Sequence, residues 1–297
     1  MRPFFFALVF TASAFATAPD GKYLDVVQRL TNLQQKYPKV SRIFSIGEND
    51  EGTPIYAIRI SITPENMDPR KIGHVLVSTH HGNEPDTPEF TLAFIEDLLK
   101  RYSNEEVWKG KLADIEYSVI PVLNVTGYNR GERLERGIDP NRNYPGPCPG
   151  KETETLKSIR TFIAFLATRT FAGSVTIHGY LTSLTYPWGL HTDTYDTQDR
   201  NRYDEIVRQA AEQNHYPYGN GAKVLYPANG CYEDYVYWKY GTWSMLVEID
   251  SGTPDDIART VPAVATFFNL LDSSASTHNV FTGKCVSPSA NAGRDIE

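Results

Sequence analysis

His74-Val75-Leu76-Val77-Ser78-Thr79-His80-His81-Gly82-Asn83-Glu84-Pro85 passes from a short apolar run directly into a polar loop. The run reads as a strand buried on both faces, because Val75, Leu76 and Val77 offer no polar side to water. His81 and Glu84 follow at its carboxyl end, which is where open α/β sheets present their ligand sites. A histidine near an acid is common in surface loops. The pair therefore carries weight only if distant parts of the chain converge on it.

Working outward, strands and helices alternate. Gly21–Tyr37 places Leu24, Val27, Leu30 and Leu33 at helical spacing, and Pro38 ends that helix. Val40–Ile46 and Ile55–Ile62 read as extended runs joined by a turn containing Gly47, Asn49, Asp50 and Gly52. An amphipathic helix over Glu89–Tyr102 and a strand over Ile115–Leu123 come next. Asn124–Gly150 is rich in Gly, Pro, Asn and Arg without an apolar period, and long loops of this kind are usually functional. Beyond it the pattern predicts helices at Thr153–Thr168, Arg200–Gln213 and Asp255–Leu271, and strands at Ser174–Ile177, Leu184–Tyr186 and Ser244–Ile249. The Gly/Tyr-rich stretch before the last strand reads as irregular, and the tail from Ser273 as loosely held. This alternation implies an α/β fold with a mixed or parallel sheet covered by helices on both faces.

The 297 residues are 40% hydrophobic and 22% charged, as in an ordinary globular domain. A net charge of −7 offers no basic surface, so no nucleic-acid partner is expected. Residues 1–18 read as a signal peptide: Arg2, an apolar Phe4–Phe15 stretch, then Ala16-Thr17-Ala18 as the cleavage site. That stretch is too short to span a bilayer, and no later segment comes close. The expectation is one domain over residues 19–297, exported to a periplasm or the medium, with no integral membrane segment. Too few residues precede the first helix for a folded prodomain. In an oxidising compartment Cys148, Cys231 and Cys285 should form one disulfide and leave one thiol, with the pair left open by spacing.

Three further stretches carry chemistry. Gly137-Ile138-Asp139-Pro140-Asn141-Arg142-Asn143-Tyr144 gathers amide, guanidinium and carboxylate groups in one turn, and Asn141 with Arg142 can clamp a carboxylate. Ser174-Val175-Thr176-Ile177-His178 ends a buried strand on a histidine. Ser244–Ile249 is apolar apart from Ser244 and Glu248, and a carboxylate in such a strand needs a partner or a task.

With those residues in view, the chain from residue 19 resembles the catalytic domain of the carboxypeptidase A family of zinc peptidases. The family's His-x-x-Glu motif matches His81 and Glu84, and its histidine followed by x-Tyr matches His178. Its Asn-Arg pair, which grips the substrate's terminal carboxylate, matches Asn141 and Arg142. Its mobile tyrosine matches Tyr226, and Glu248 lies at the family's interval beyond Tyr226. The resemblance implies a mixed, twisted sheet of about eight strands, one zinc per chain, and Glu248 as the base that activates water. It also implies that Asp139 orients the imidazole of His81. An arginine should stabilise the oxyanion; Arg130, Arg133 and Arg136 are available, and Arg133 fits best, although its spacing to Gly137 departs by one from the family pattern. Asn83 stands where digestive members carry an arginine.

Counting on from Tyr226, Glu233 matches the floor of the pocket for the terminal side chain, with Asp234 and Tyr235 continuing the register. An anion there favours terminal Lys, Arg or a diaminopimelate-like residue and rejects Asp or Glu. The expected substrates are peptides with a free C-terminus, including peptidoglycan stem peptides, acted on by a monomer. His81-Gly82-Asn83-Glu84 is also similar to the zinc loop of aspartoacylase-like amidohydrolases, an alternative that the signal peptide and Tyr226 disfavour. A non-catalytic peptide or cell-wall binding module is a third reading, yet no ligand or base is missing. His74, His80, His191, His215 and His278 read as surface or capping residues, and the aromatic run Tyr232–Trp243 as pocket wall and core.

Overall fold

A computed structural model of the chain describes residues 17–104, 110, 112–150, 154–271 and 274–287. Apart from Thr17 and Ala18, the expected signal segment lies outside the described residues.

Eight strands form one sheet: β1 Ser41–Glu48, β2 Pro54–Ile60, β3 Ile72–Ser78, β4 Ile115–Ile120, β5 Gly173–Gly179, β6 Ser183–Tyr186, β7 Tyr218–Asn220 and β8 Trp243–Ile249. Their spatial order is β1-β2-β4-β3-β5-β8-β6-β7. The centre is parallel, β4 with β3, β3 with β5 and β5 with β8, while β1 with β2, β2 with β4 and β6 with β8 are antiparallel and the edge pair β6 with β7 is parallel again. The central strands are the apolar ones, as expected for a sheet covered on both faces. The parallel register aligns the carboxyl ends of β3, β5 and β8 and sets His178 directly beside Glu248.

The helices are α1 Gly21–Lys36, α2 Asp86–Asn104, α3 Val125–Arg130, α4 Lys157–Leu166, α5 Arg200–Ala211, α6 Gly221–Val224, α7 Tyr232–Tyr240 and α8 Pro254–Asn269. One face of the sheet meets α2 and α8, where His74 of β3 packs on Phe268 and Phe268 on Phe94. The other meets α4 and α7, where Tyr232 reaches the Ser174 hydroxyl at 2.7 Å and Phe162 lies 5.2 Å from the Tyr232 ring. Successive residues of a strand point to opposite faces, so Ser174, Thr176 and His178 share the second face.

Two expectations are corrected. The stretch Asn124–Gly150 is not loop throughout: it opens with α3, whose N-cap Asn124 accepts a hydrogen bond from the Gly127 amide. Its 6 residues, fewer than two helical turns, are too few to show a period. The Gly/Tyr-rich stretch is not irregular either, since it contains β7, α6 and α7. Helix α7 is buried around most of its circumference and therefore lacks the polar stripe that marks an amphipathic helix.

The tail is also held more firmly than expected. Cys148 and Cys285 are disulfide-bonded, Val286 N–H donates to the His191 carbonyl at 3.0 Å, and Lys284 N–H to Asp193 at 2.7 Å. Cys231 is the free, buried cysteine.

Candidate metal centre

The loop after β3 owes its shape to tight packing. Thr79 has φ 58°, a left-handed conformation costly for a β-branched residue, held by its hydroxyl against Thr87 and the Pro121 carbonyl at 2.9 Å each. Gly82 lies so close to the chain at Gly127 that a Cβ would stand 2.0 Å from the Gly127 carbonyl carbon. The backbone is thereby bent so that His81 and Glu84 face the end of β5.

There they meet His178. One donor atom from each of His81, Glu84 and His178 falls within 4.8 Å of the others, and all three residues are buried. His81 Nδ1 lies 2.6 Å from Glu84 Oε1 and 3.2 Å from His178 Nδ1, while His178 Nδ1 is 3.3 Å from Glu84 Oε2. Burial alone would raise the Glu84 pKa, but the two histidines outweigh it and bring the carboxyl down to about 2. Glu84 Oε2 has no hydrogen-bond partner among the described residues. Two ring nitrogens and a carboxylate turned toward one point, with one buried oxygen unsatisfied, fit a borderline divalent cation such as zinc.

The far edge of His81 is fixed as metal-bound imidazoles usually are. Its Nε2 lies 3.1 Å from Asp139 Oδ1, which also accepts the Asn141 N–H at 2.9 Å and so shapes the turn Pro140–Arg142. Burial works against the Asp139 carboxylate, but His81, Arg142 and Arg133 together hold it well below the usual carboxylate range. Of the three arginines proposed for the oxyanion, Arg133 faces the centre, with Nη2 2.9 Å from Asp139 Oδ2 and Nη1 3.3 Å from His81 Nδ1. Arg130 and Arg136 instead pair with Glu51 and Asp50, each at 2.7 Å.

A cavity of 310 Å³ joins these groups to the remaining candidates Asn141, Arg142, Tyr226, Glu233 and Glu248. Burial pushes the Glu248 pKa up and the nearby Glu84 charge adds to this, against the opposing pull of His178. Leu181 N–H donates to its Oε2 at 3.4 Å. Arg142 is held by the Asn141 carbonyl at 2.8 Å and meets the Tyr226 hydroxyl at 3.1 Å. The Tyr226 loop approaches closely here: Gly230 has φ 78°, and a Cβ on it would lie 2.3 Å from the Arg142 carbonyl oxygen. Glu233, at the start of α7, is buried with Oε2 unpartnered among the described residues; burial raises its pKa against the charges of His178 and Arg142. Asp234 turns aside to accept the Gly189 N–H.

The reading of the remaining histidines needs correcting. His74 and His80 are completely buried, not surface or capping residues. Leu246 also lines the cavity. The two-residue period of β8 places it on the same face as Glu248, so this lining residue was available from pattern alone.

Residues 26–262 match the zinc carboxypeptidase family, peptidase M14, and the chain belongs to that family. Over 250 residues it is 28% identical to carboxypeptidase B of Rattus norvegicus, covering 70% of this chain and 58% of that protein. Over 252 residues it is 25% identical to carboxypeptidase SOL1 of Arabidopsis thaliana, covering 76% and 49%. The chain thus spans about half the length of these curated relatives. Carboxypeptidase A from Helicoverpa armigera superposes with a TM-score of 0.72 at 22% identity, covering 84% of this chain and 72% of that one, a likeness of fold. The eight-stranded mixed sheet agrees with the architecture expected from the sequence.

Proposed function

We propose that this chain removes C-terminal residues from peptides, favouring a cationic terminal side chain. The observation that carries the reading is the opening of the His81–Glu84–His178 triad, Glu248 and the Arg142–Tyr226 pair into one cavity. Bound by the triad, zinc supplies Lewis-acid chemistry, acidifying water and polarising a carbonyl. Glu248 takes a proton from the attacking water on a carboxylate oxygen and delivers it to the nitrogen of the leaving amine. Arg133 donates hydrogen bonds to the developing oxyanion. Arg142 grips the terminal carboxylate with Asn141 beside it. Tyr226 exchanges its bond to Arg142 for one to the substrate.

Glu233 supports the preference for Lys, Arg or a diaminopimelate-like terminus. A buried carboxylate with an unpartnered oxygen at a pocket wall gains most from a cation and repels Asp or Glu. Residues 1–18 act as the export signal, and residues 19–297 work as a monomeric catalytic domain. The Cys148–Cys285 bond is in keeping with an oxidising destination, periplasmic or secreted. Among the described residues, no helix is long and apolar enough to cross a membrane.

The test is to offer purified, zinc-loaded enzyme matched peptides ending in Lys, Arg, Leu, Phe or Glu, with muropeptides and N-acyl amino acids alongside. Lys and Arg should be released fastest. Release of Leu or Phe at the same rate removes the role given to Glu233. Turnover confined to N-acyl amino acids replaces the peptidase reading with the amidohydrolase one, and no turnover of any substrate leaves a binding module.

A further inference from the structure

The two histidines of the triad are supported unequally. His81 presents Nε2 to a carboxylate, that of Asp139. With His178 Nδ1 facing the triad, its Nε2 should carry the ring proton and needs an acceptor. The neighbour it meets is Asn141 Nδ2, at 3.5 Å. The amide cannot turn its oxygen toward the ring without losing another bond, because Asn141 Oδ1 accepts the Tyr232 N–H at 2.9 Å. Hydrogen bonding therefore leaves the orientation of the His178 ring underdetermined.

Packing supplies what is missing. The His80 ring lies against His178 with centroids 5.3 Å apart and planes inclined by 17°. His80 is itself tethered at both nitrogens: Nδ1 is 3.2 Å from the Thr176 hydroxyl and Nε2 is 2.9 Å from the Tyr144 hydroxyl. Thr176 stands two residues before His178 on the same face of β5, so one strand carries both the tether and the ring to be held. Tyr144 follows the Asn141–Arg142 turn, and its amide donates to the Gly230 carbonyl at 3.0 Å. The backbone of His80 is anchored as well, its carbonyl accepting from Asn124 Nδ2 at 3.1 Å.

We propose that His80 is a positioning residue for the metal centre, a buried imidazole that fixes the ring of His178 by stacking and is itself fixed by Thr176 and Tyr144. It touches neither substrate nor reacting atoms. Its effect is to aim His178 Nδ1 at the metal position. The inference rests on the triad as the zinc site.

The experiment is a zinc titration of metal-free enzyme against a chromophoric chelator, with melting temperatures recorded with and without zinc. His80→Ala should weaken zinc binding about 10- to 100-fold, the range typical of groups that orient ligands. His80→Phe keeps a ring over His178 but loses both tethers, and should recover only part of that loss. The result that overturns the proposal is wild-type zinc affinity in His80→Ala, with melting lowered equally in both metal states, since that is a purely structural role. If His80→Ala does not fold, the pair Thr176→Val and Tyr144→Phe, combined, decides: weaker zinc binding supports the proposal and unchanged binding overturns it. Wild type and His178→Ala are titrated alongside. One zinc bound by the wild type and lost in His178→Ala keeps a failure of the metal site distinct from a failure of His80.

Discussion

Glu248 is an acid inside a strand of apolar residues, and its burial beside Glu84 keeps its carboxyl above the usual range. Glu248→Gln preserves shape and removes the proton acceptor. Turnover should fall about a hundredfold to ten-thousandfold while zinc uptake is unchanged, read by steady-state kinetics beside metal analysis. Glu233→Gln should remove about 2 kcal/mol or more of preference for Lys over Leu, about thirtyfold in the ratio of kcat/KM values. His74 gives a different kind of prediction. Buried between Tyr117 and Phe268, with neither ring nitrogen hydrogen-bonded among the described residues, it has its pKa lowered from 6.5 to about 3 by burial and the nearby Arg169 charge. The unfolded chain then binds a proton that the folded chain refuses between those values. Stability should fall as pH drops from 6.5 toward 3, by up to about 1.4 kcal/mol per pH unit, and His74→Leu should flatten that slope in denaturant titrations.

At the scale of elements, the site is made where short connections leave the carboxyl ends of β3, β5 and β8. Gly82→Ala should force the His81–Glu84 loop away from α3, because a Cβ cannot stand 2.0 Å from a carbonyl carbon. The expected result is a loss of about 1–3 kcal/mol in stability together with weaker zinc binding, measured by urea unfolding and chelator competition. Apolar runs and strand alternation made β3, β4, β5 and β8 legible before any coordinates. Helices α3, α6 and α7 were not. The first two are too short for periodicity, and α7 carries aromatic residues on several sides because the core surrounds it. Position in the fold, not local preference, makes that segment helical.

Across the whole molecule, the Cys148–Cys285 bond spans 137 residues and ties the C-terminal segment to the loop beyond the Arg142 turn. Closing so large a loop restricts the unfolded chain by about 5 kcal/mol in the chain-entropy account. Cys148→Ser should therefore lower the melting temperature by several degrees, as should treating the native enzyme with a thiol reductant. The loop carrying Asn229 is joined to the same segment through the Pro149 carbonyl, at 2.9 Å, so reduced enzyme is also expected to bind substrate more weakly. The fold class could be read from the linear chain because strand burial is a local quantity, while the His81–Glu84 pair, His178, the Asn141–Arg142 turn and the Tyr226-to-Glu248 interval gained their meaning together, from the resemblance to the carboxypeptidase A family. The ion pairs that hold Arg130 on Glu51 and Arg136 on Asp50, the pairing of Cys148 with Cys285, and the burial of His80 behind His178 could not. Each depends on which side chains meet after the strands pair and the loops close. Contacts between residues far apart in the chain are created by folding and leave no local period to read.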